Sequence, residues 1–148
     1  MAHLRQQIRE RVATTVTGLT TTGSRVYQSR VYPLADANLP GLLVYSTSES
    51  SEPDVMTSGN RTLFRELEIV IEGYAKATSN LDDTLDTITD EIETAMAADR
   101  TVNSLARDAT LASTAITLIG EGEKPVGVVT LTYRVTYRNA MNAPDTAA

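Results

Sequence analysis

The clearest pattern in the sequence is "GVVTLTYRVTYRN", Gly127–Asn139, in which apolar and polar side chains alternate almost without interruption. Successive side chains of an extended chain point to opposite faces, so the alternation predicts a β-strand with two unlike faces. The face predicted to pack on a core consists of Val129, Leu131, Tyr133, Val135 and Tyr137. The other face carries threonine and arginine only: Thr130, Thr132, Arg134, Thr136 and Arg138. This strand therefore offers a polar face to solvent or to a partner.

Four more stretches predict strands, because they are rich in β-branched and aromatic residues or in apolar runs. They are "RVYQSRVYPL" (25–34), "LPGLLVYST" (39–47), "TLFRELEIVIEGYAKA" (62–77) and "TLASTAITLIG" (110–120). The third stretch alternates, with Leu63, Leu67, Ile69 and Ile71 opposite Glu66, Glu68 and Glu72. The fourth is separated from the opening stretch by "EGEKP", a turn sequence, so these two strands are predicted to form an antiparallel pair.

Two further segments have the spacing of amphipathic helices. In the first, apolar residues recur every four positions, at Leu4, Ile8, Val12 and Val16. The second, "SNLDDTLDTITDEIETAMAADR" (79–100), has an apolar stripe of Leu81, Leu85, Ile88, Ile92 and Met96. Ser79 or Asn80 is predicted to cap this helix, and Asp82 and Asp83 complement the positive end of its dipole.

The order helix, strand, strand, strand, helix, strand, strand predicts an α+β fold, a mixed α/β sandwich. We expect a mainly antiparallel sheet of about five strands flanked by two main helices. A chain of 148 residues suits one domain, predicted to span residues 1–139. Residues 140–148, "AMNAPDTAA", are predicted to be a flexible C-terminal tail.

Between two predicted strands lies "STSESSEPDVMTSGNR", residues 46–61, which is rich in serine and acid. The segment is too polar to pack into a core and too long for a tight turn. It predicts a long, mobile hairpin arm, which is either disordered decoration or a segment that orders against a partner.

The composition offers few groups for catalysis. There is no cysteine, and the one histidine, His3, lies where chain termini are usually loose. Asp82, Asp86 and Glu93 follow one flank of the second helix, a spacing able to present oxygens to a hard cation, but a solvated acidic face explains them better. We therefore predict no enzyme activity, no cofactor and no metal.

The net charge of −6 also limits the partners. Residues 46–100 carry 13 acidic and 4 basic side chains, and no basic stripe exists to neutralise phosphates. Specific binding of DNA or RNA is therefore not predicted. No apolar run approaches the roughly 20 residues that span a bilayer, so no membrane partner is predicted either.

The order and local sequences of these segments resemble those of a known family, the tail terminator or tail completion proteins of long-tailed bacteriophages, similar to the minor tail protein U group. The resemblance covers nearly the whole chain and rests on "LRQQIRERV", "RVY" with "VYPLADANLPGLLVY", the polar arm, "FRELEIVIEGYAK", "LDDTLDTITDEIETAM" and "LTYRVTYR". The most telling pieces are "LPGLLVY" and the last strand. The threonine-rich stretch from Thr14 to Thr22 does not fit the family pattern.

The resemblance implies a structural protein without an active site. Members of the family form a hexameric ring on the last ring of the tail tube, stop its elongation and present a surface to the head connector. The implied partners are further copies of the chain, the tail tube protein and the head connector or head completion protein. The implied location is the head-proximal end of the virion tail, after assembly in the host cytoplasm, with DNA passing through the ring without specific binding.

By the resemblance, the arm touches a partner and the last strand serves a subunit seam. The candidate interface residues are Glu49, Glu52, Asp54, Met56, Arg61, Glu66, Glu68, Arg134 and Arg138. A head-to-tail ring needs two unlike, complementary patches on each copy. One hypothesis is that the acidic middle of the chain meets Arg134 or Arg138 of a neighbouring copy.

Three alternatives remain open from the sequence. The first is another neck, connector or tail tube component of similar size. The second is a small metal-assisted hydrolase that uses the aspartates of the second helix. The third is a soluble ligand-binding module, which would need an apolar pocket.

Overall fold

A computed structural model describes residues 2–28, 39–53, 59, 61–76, 79–119 and 126–147. Its elements, in chain order, are α1 (Leu4–Thr15), β1 (Val26–Tyr27), β2 (Gly41–Pro53), β3 (Thr62–Lys76), α2 (Leu81–Ala97), β4 (Asp108–Ile119) and β5 (Val126–Ala140). Five strands and two helices in this order confirm the predicted α+β class.

The strands form one sheet in the order β1-β2-β3-β5-β4. β2 and β3, β3 and β5, and β4 and β5 pair antiparallel, whereas the short β1 pairs parallel with β2. The predicted hairpin of β4 and β5 is present, and β5 lies between β3 and β4. The strand from the opening quotation is therefore central, which explains why one of its faces is almost wholly apolar.

Both helices pack on one face of this sheet, and the predicted apolar stripes are the surfaces that they bury. The core cluster joins Leu4, Ile8 and Val12 of α1 and Leu85, Ile88, Ile92 and Met96 of α2 to the inward side chains of β2, β3 and β5. α1 lies over β2, and α2 crosses β3 and β5. Within the described residues, no helix covers the opposite face of the sheet.

Two glycines allow α2 to approach the sheet closely. A Cβ atom added to Gly127 would lie 2.8 Å from Cδ1 of Leu85, and one added to Gly73 would lie 2.9 Å from Cγ2 of Ile88. Both distances are shorter than a normal contact, so the helix sits where only glycine leaves room.

β2 is longer than the sequence predicted, and this corrects the position of the polar arm. Residues 46–53 continue the strand in register with β3, after a β-bulge between Ser46 and Ser48. Backbone pairing with β3 holds this part of the predicted hairpin arm, so it needs no apolar side chains. Most of the remainder of the arm, including Asp54 and Met56, lies outside the described residues.

β1 is described only at Val26–Tyr27. The rest of the predicted strand at 25–34, from residue 29 onward, and the predicted turn at 121–125 lie outside the described residues. At the start of α2, Asn80 takes the capping position, but its side chain makes no capping hydrogen bond. Instead, Asn80 adopts a left-handed conformation with φ 57°.

The chain end does not stand apart as a flexible tail, which corrects the predicted boundary at residue 139. The amide of Leu4 donates to the carbonyl of Pro144 at 2.8 Å, and the side-chain amide of Gln7 donates to the carbonyl of Asp145 at 2.9 Å. The first amides of a helix lack partners within it, so the returning chain supplies acceptors for α1.

The segment between α2 and β4 is irregular, and the Asp99 carboxylate holds it by hydrogen bonds. Oδ2 of Asp99 accepts from Arg11 Nε at 2.9 Å and from the Thr15 hydroxyl at 3.2 Å, while Oδ1 accepts from the Asn103 amide at 3.0 Å. These contacts join the end of α1 to a turn in which Val102, Asn103 and Ser104 all have positive φ.

Candidate functional site

The Glu49 carboxylate, on β2, accepts hydrogen bonds from three side chains that are far apart in the sequence. Oε2 of Glu49 accepts from Arg5 Nη1 at 2.7 Å and from Arg65 Nη1 at 3.2 Å. Oε1 accepts a short hydrogen bond from the Tyr137 hydroxyl. The Glu49 side chain is only 7% exposed, so we name this group, with His3, the Glu49 cluster.

The bulge at Thr47 brings Glu49 into this position. Before it, Val44 and Ser46 share the helix-facing side of β2; after it, Glu49 does, opposite Leu67. Without the extra residue, Ser48 would face the helices and Glu49 would face the other way. Glu49 was predicted to lie on an exposed arm, and the bulge is the reason why it does not.

His3 closes the outer side of the cluster. Its Nδ1 accepts from the Arg5 amide at 3.1 Å, which makes it the N-cap of α1, and its Nε2 lies 3.5 Å from Arg65 Nη1. Burial, followed by the charges of Arg5 and Arg65, lowers the pKa of His3 below its ordinary value of 6.5. His3 therefore has a defined structural contact rather than a loose terminal position.

Burial and the hydrogen bond to Glu49 raise the pKa of Tyr137, so this phenol stays protonated and donates. Every oxygen of Glu49 is thus engaged within the chain. The cluster links the beginning of α1 to three adjacent strands, and its arrangement is that of a structural tie. The sequence analysis missed Arg65 as a member of this cluster. The signal was its position, because alternation places this charged residue on the apolar side of β3, between Leu63 and Leu67.

The other charged candidates lie on the sheet face that no described helix covers. Glu68 is the cross-strand partner of Arg134, Glu66 is the partner of Thr136, and Phe64 is the partner of Arg138. A shallow depression of about 290 Å³ is lined by Ser48, Glu49, Ser50, Glu66, Glu68 and Arg134. Carboxylates and an arginine therefore share one patch.

The hypothesis that the acidic middle of the chain meets Arg134 or Arg138 of a neighbouring copy stays a prediction. β3 and β5 are neighbours in the sheet, so Glu66 and Glu68 lie beside Arg134 of the same chain. The sequence could not show this because it does not reveal which strands pair.

The remaining candidates fall at the end of the β2–β3 hairpin. Glu52 is exposed near the end of β2. Arg61 precedes β3, and its carbonyl accepts from the Met141 amide at 2.8 Å. Asp54 and Met56 lie outside the described residues.

Glu72, on the same sheet face as Glu66 and Glu68, also accepts hydrogen bonds from side chains of the same chain. Glu72 accepts a short hydrogen bond from the Tyr45 hydroxyl and another from Tyr74 at 2.7 Å. Burial, followed by this hydrogen bond to Glu72, raises the pKa of Tyr74. These groups support the sheet and leave no free acid–base pair at this position.

The acidic flank of α2 points to solvent, with Asp82, Asp83, Asp86, Asp90 and Glu93 all exposed. The described part of the chain contains no group of three or more histidine, aspartate or glutamate side chains placed to hold a metal ion. Glu91 instead binds the amide and hydroxyl of Thr21, at 2.9 and 2.6 Å. Neither described helix is long and apolar enough to cross a membrane.

Comparisons with known proteins identify no family for this chain. No family model matches the sequence, and no curated protein matches it. Among solved structures, a chain from "Virion of native gene transfer agent (GTA) particle" is similar, with 16% identity and a TM-score of 0.41, over 93% of this chain and 92% of that chain. At this identity and TM-score, the likeness carries no argument about function.

Proposed function

We propose that this protein is a structural component of a phage-like virion, and specifically a tail terminator. In this role it forms a ring that caps the tail tube, stops elongation of the tube and provides the surface for head–tail joining. The proposal rests on the sequence resemblance, together with a structure whose free surfaces suit assembly.

The observation that carries the proposal is that no described helix covers the sheet face opposite α1 and α2. Part of this face is exposed and presents Glu66, Glu68 and Arg134 around a shallow depression, whereas Leu43, Val70 and Val128 on the same face are buried. Specific protein interfaces need roughly 800 Å² from each partner, and we assign the exposed part of this face to such a contact.

A non-enzymatic role agrees with how the polar groups are used. The buried or partly buried carboxylates of Glu49, Glu72, Glu91 and Asp99 are each held by hydrogen bonds from the same chain. A general base or a metal ligand has to be available to a substrate or an ion, whereas these groups fasten one segment to another.

The proposed partners are further copies of the chain in a hexameric ring, the tail tube protein and the head connector or head completion protein. DNA passes through the ring without specific binding, because the middle of the chain is strongly acidic and repels phosphate. The proposed location is the head-proximal end of the virion tail.

Electron microscopy of the purified protein, alone and mixed with tail tubes, tests the proposal. A six-fold annulus at one end of each tube, with no further growth after tube protein is added, is the expected result. Uncapped tubes that continue to grow would exclude a terminator. Incorporation along the tube would indicate a tube protein instead, the alternative left open by the sequence.

A further inference from the structure

The outer edge of β4 has few of the features that usually keep an edge strand from pairing: its one irregularity is a register shift between Leu111 and Ser113, and the pairing with β5 is regular from there to Ile119. From Ala109 to Ile119 the strand contains no charged residue and no proline. Ile116 is 51% exposed and Leu118 is 61% exposed. Native edge strands are usually short, charged, bulged away or covered, because a long uncharged edge is a template for another strand.

The opposite edge of the sheet is formed by β1 and β2. Within the described residues, β1 pairs with β2 at Leu42 and Leu43, and no strand pairs with the outer side of β2 from Val44 to Pro53. We call these two surfaces the β4 edge and the β1–β2 edge. They are unlike, as a head-to-tail contact requires.

The two edges match in position. One row of aligned residues crosses the whole sheet from Val26 through Leu42, Gly73 and Val129 to Ile116. The apolar Ile116 therefore lies at the same height as the apolar Val26, and both are on the helix-facing side, since Val26 packs against the core. Sheets aligned edge to edge would place the two side chains together.

Strand direction is also compatible. β4 runs antiparallel to β2, because three antiparallel pairings separate them, and β1 runs with β2. A second copy placed beside the first with the same face forward therefore presents its β1–β2 edge antiparallel to β4. Backbone hydrogen bonds between copies would then extend the sheet in the manner of β-augmentation.

We propose that the β4 edge binds the β1–β2 edge of the next copy, with Ile116 beside Val26. The inference rests on the proposed ring and adds the surfaces that build it. Repeating this contact around a closed ring leaves no exposed edge of either kind.

Cysteine cross-linking tests the contact, since the chain has no cysteine of its own. In the double variant Ile116→Cys/Val26→Cys, mild oxidation is expected to produce a ladder of disulfide-linked oligomers that collapses to monomer on reduction. A disulfide within one chain is excluded, because four strand spacings of about 4.8 Å separate the two positions. The pair Leu118→Cys/Val26→Cys tests a register shifted by two residues on the same face.

The single variants serve as matched controls and are expected to stay monomeric on denaturing gels. Disulfide-linked dimers of Ile116→Cys alone would overturn the proposal, because they would show two β4 edges paired with each other. Absence of ladders from both double variants, while microscopy shows intact rings, would overturn the edge contact and leave the ring standing. Absence of rings from the unmodified protein, even with tail tubes, would remove the proposed function itself.

Discussion

At the scale of single residues, Glu49 joins three distant parts of the chain. Its carboxylate is bound by Arg5 at one end of the sequence, Arg65 in the middle and Tyr137 near the other end. A buried carboxylate between two guanidinium groups is costly to remove, because the remaining charges lose their counterion while still partly desolvated.

We therefore expect Glu49→Gln to lower the free energy of unfolding by about 2–3 kcal/mol. Arg65 is nearly buried and loses its counterion, whereas Arg5 is half exposed and regains water. Glu66→Gln is the matched control, because Glu66 is exposed on the neighbouring strand, and it should change the value by less than about 0.5 kcal/mol. Urea unfolding of both variants measures the difference; equal effects would contradict the structural role of Glu49.

Asp99 gives a pH-dependent contribution to stability. Burial alone would raise the pKa of Asp99, but the hydrogen bonds from the Asn103 amide and Arg11, with the charge of Arg11, outweigh it and lower the pKa below 3.8. A carboxyl group with a lowered pKa in the folded state stabilises the fold above its ordinary pKa. This contribution is lost as the pH falls through the lowered value.

Asp99→Asn is therefore expected to reduce stability by about 1–2 kcal/mol near neutral pH. The difference in free energy of unfolding between the two proteins should become smaller below about pH 4, since the wild-type carboxylate then becomes protonated. Urea unfolding at a series of pH values measures this difference, with Asp86→Asn, on the exposed flank of α2, as the control. A difference that stays constant down to the lowest pH at which the protein folds would refute the assignment.

At the scale of elements, the sequence predicted the types and inward faces of most segments. The apolar stripes of α1 and α2 and the buried side of β5 are as the periodicity indicates, because burial of those side chains drives the packing. The extent of β2 was missed, since its second half is held by backbone pairing to β3. Strand order was missed as well, because the pairing of β3 with β5 joins distant parts of the chain.

The approach of α2 to the sheet depends on glycine, and Gly127→Ala tests it. The added methyl group would meet the buried Leu85 at 2.8 Å, so α2 or the strand has to shift. We expect a loss of about 1–2 kcal/mol in the free energy of unfolding, typical of overpacking. Thermal unfolding measures it, with Thr130→Ala on the opposite face of β5 as the control. An unchanged or higher free energy of unfolding would mean that α2 and β5 accommodate the methyl group without moving apart.

At the scale of the whole molecule, the two chain termini meet. The returning segment 141–147 supplies carbonyl groups to the first turn of α1, and the same turn carries His3 and Arg5 of the Glu49 cluster. The sequence predicted a free tail because the last residues of a chain usually fray. The docking uses their backbone atoms, which composition does not reveal.

Removing residues 144–148 should therefore destabilise the start of α1. The Leu4 amide loses its acceptor, and we expect hydrogen exchange at this amide to accelerate and global stability to fall by about 1 kcal/mol. Hydrogen exchange of the intact and shortened proteins measures the change, with the amides in the middle of β5 as an internal control. Unaltered exchange at Leu4 would show that the returning segment does not hold the helix.

The bulge at Thr47 also has an evolutionary consequence. The number of residues after Val44 determines which side chain of the serine-rich segment faces the helices. The identity of most of these residues has no effect on it. Homologous chains that keep an inward acid should therefore conserve this count while varying freely in composition. A lineage with one residue fewer would have to relocate its acid by a single position or lose the arginines that it neutralises.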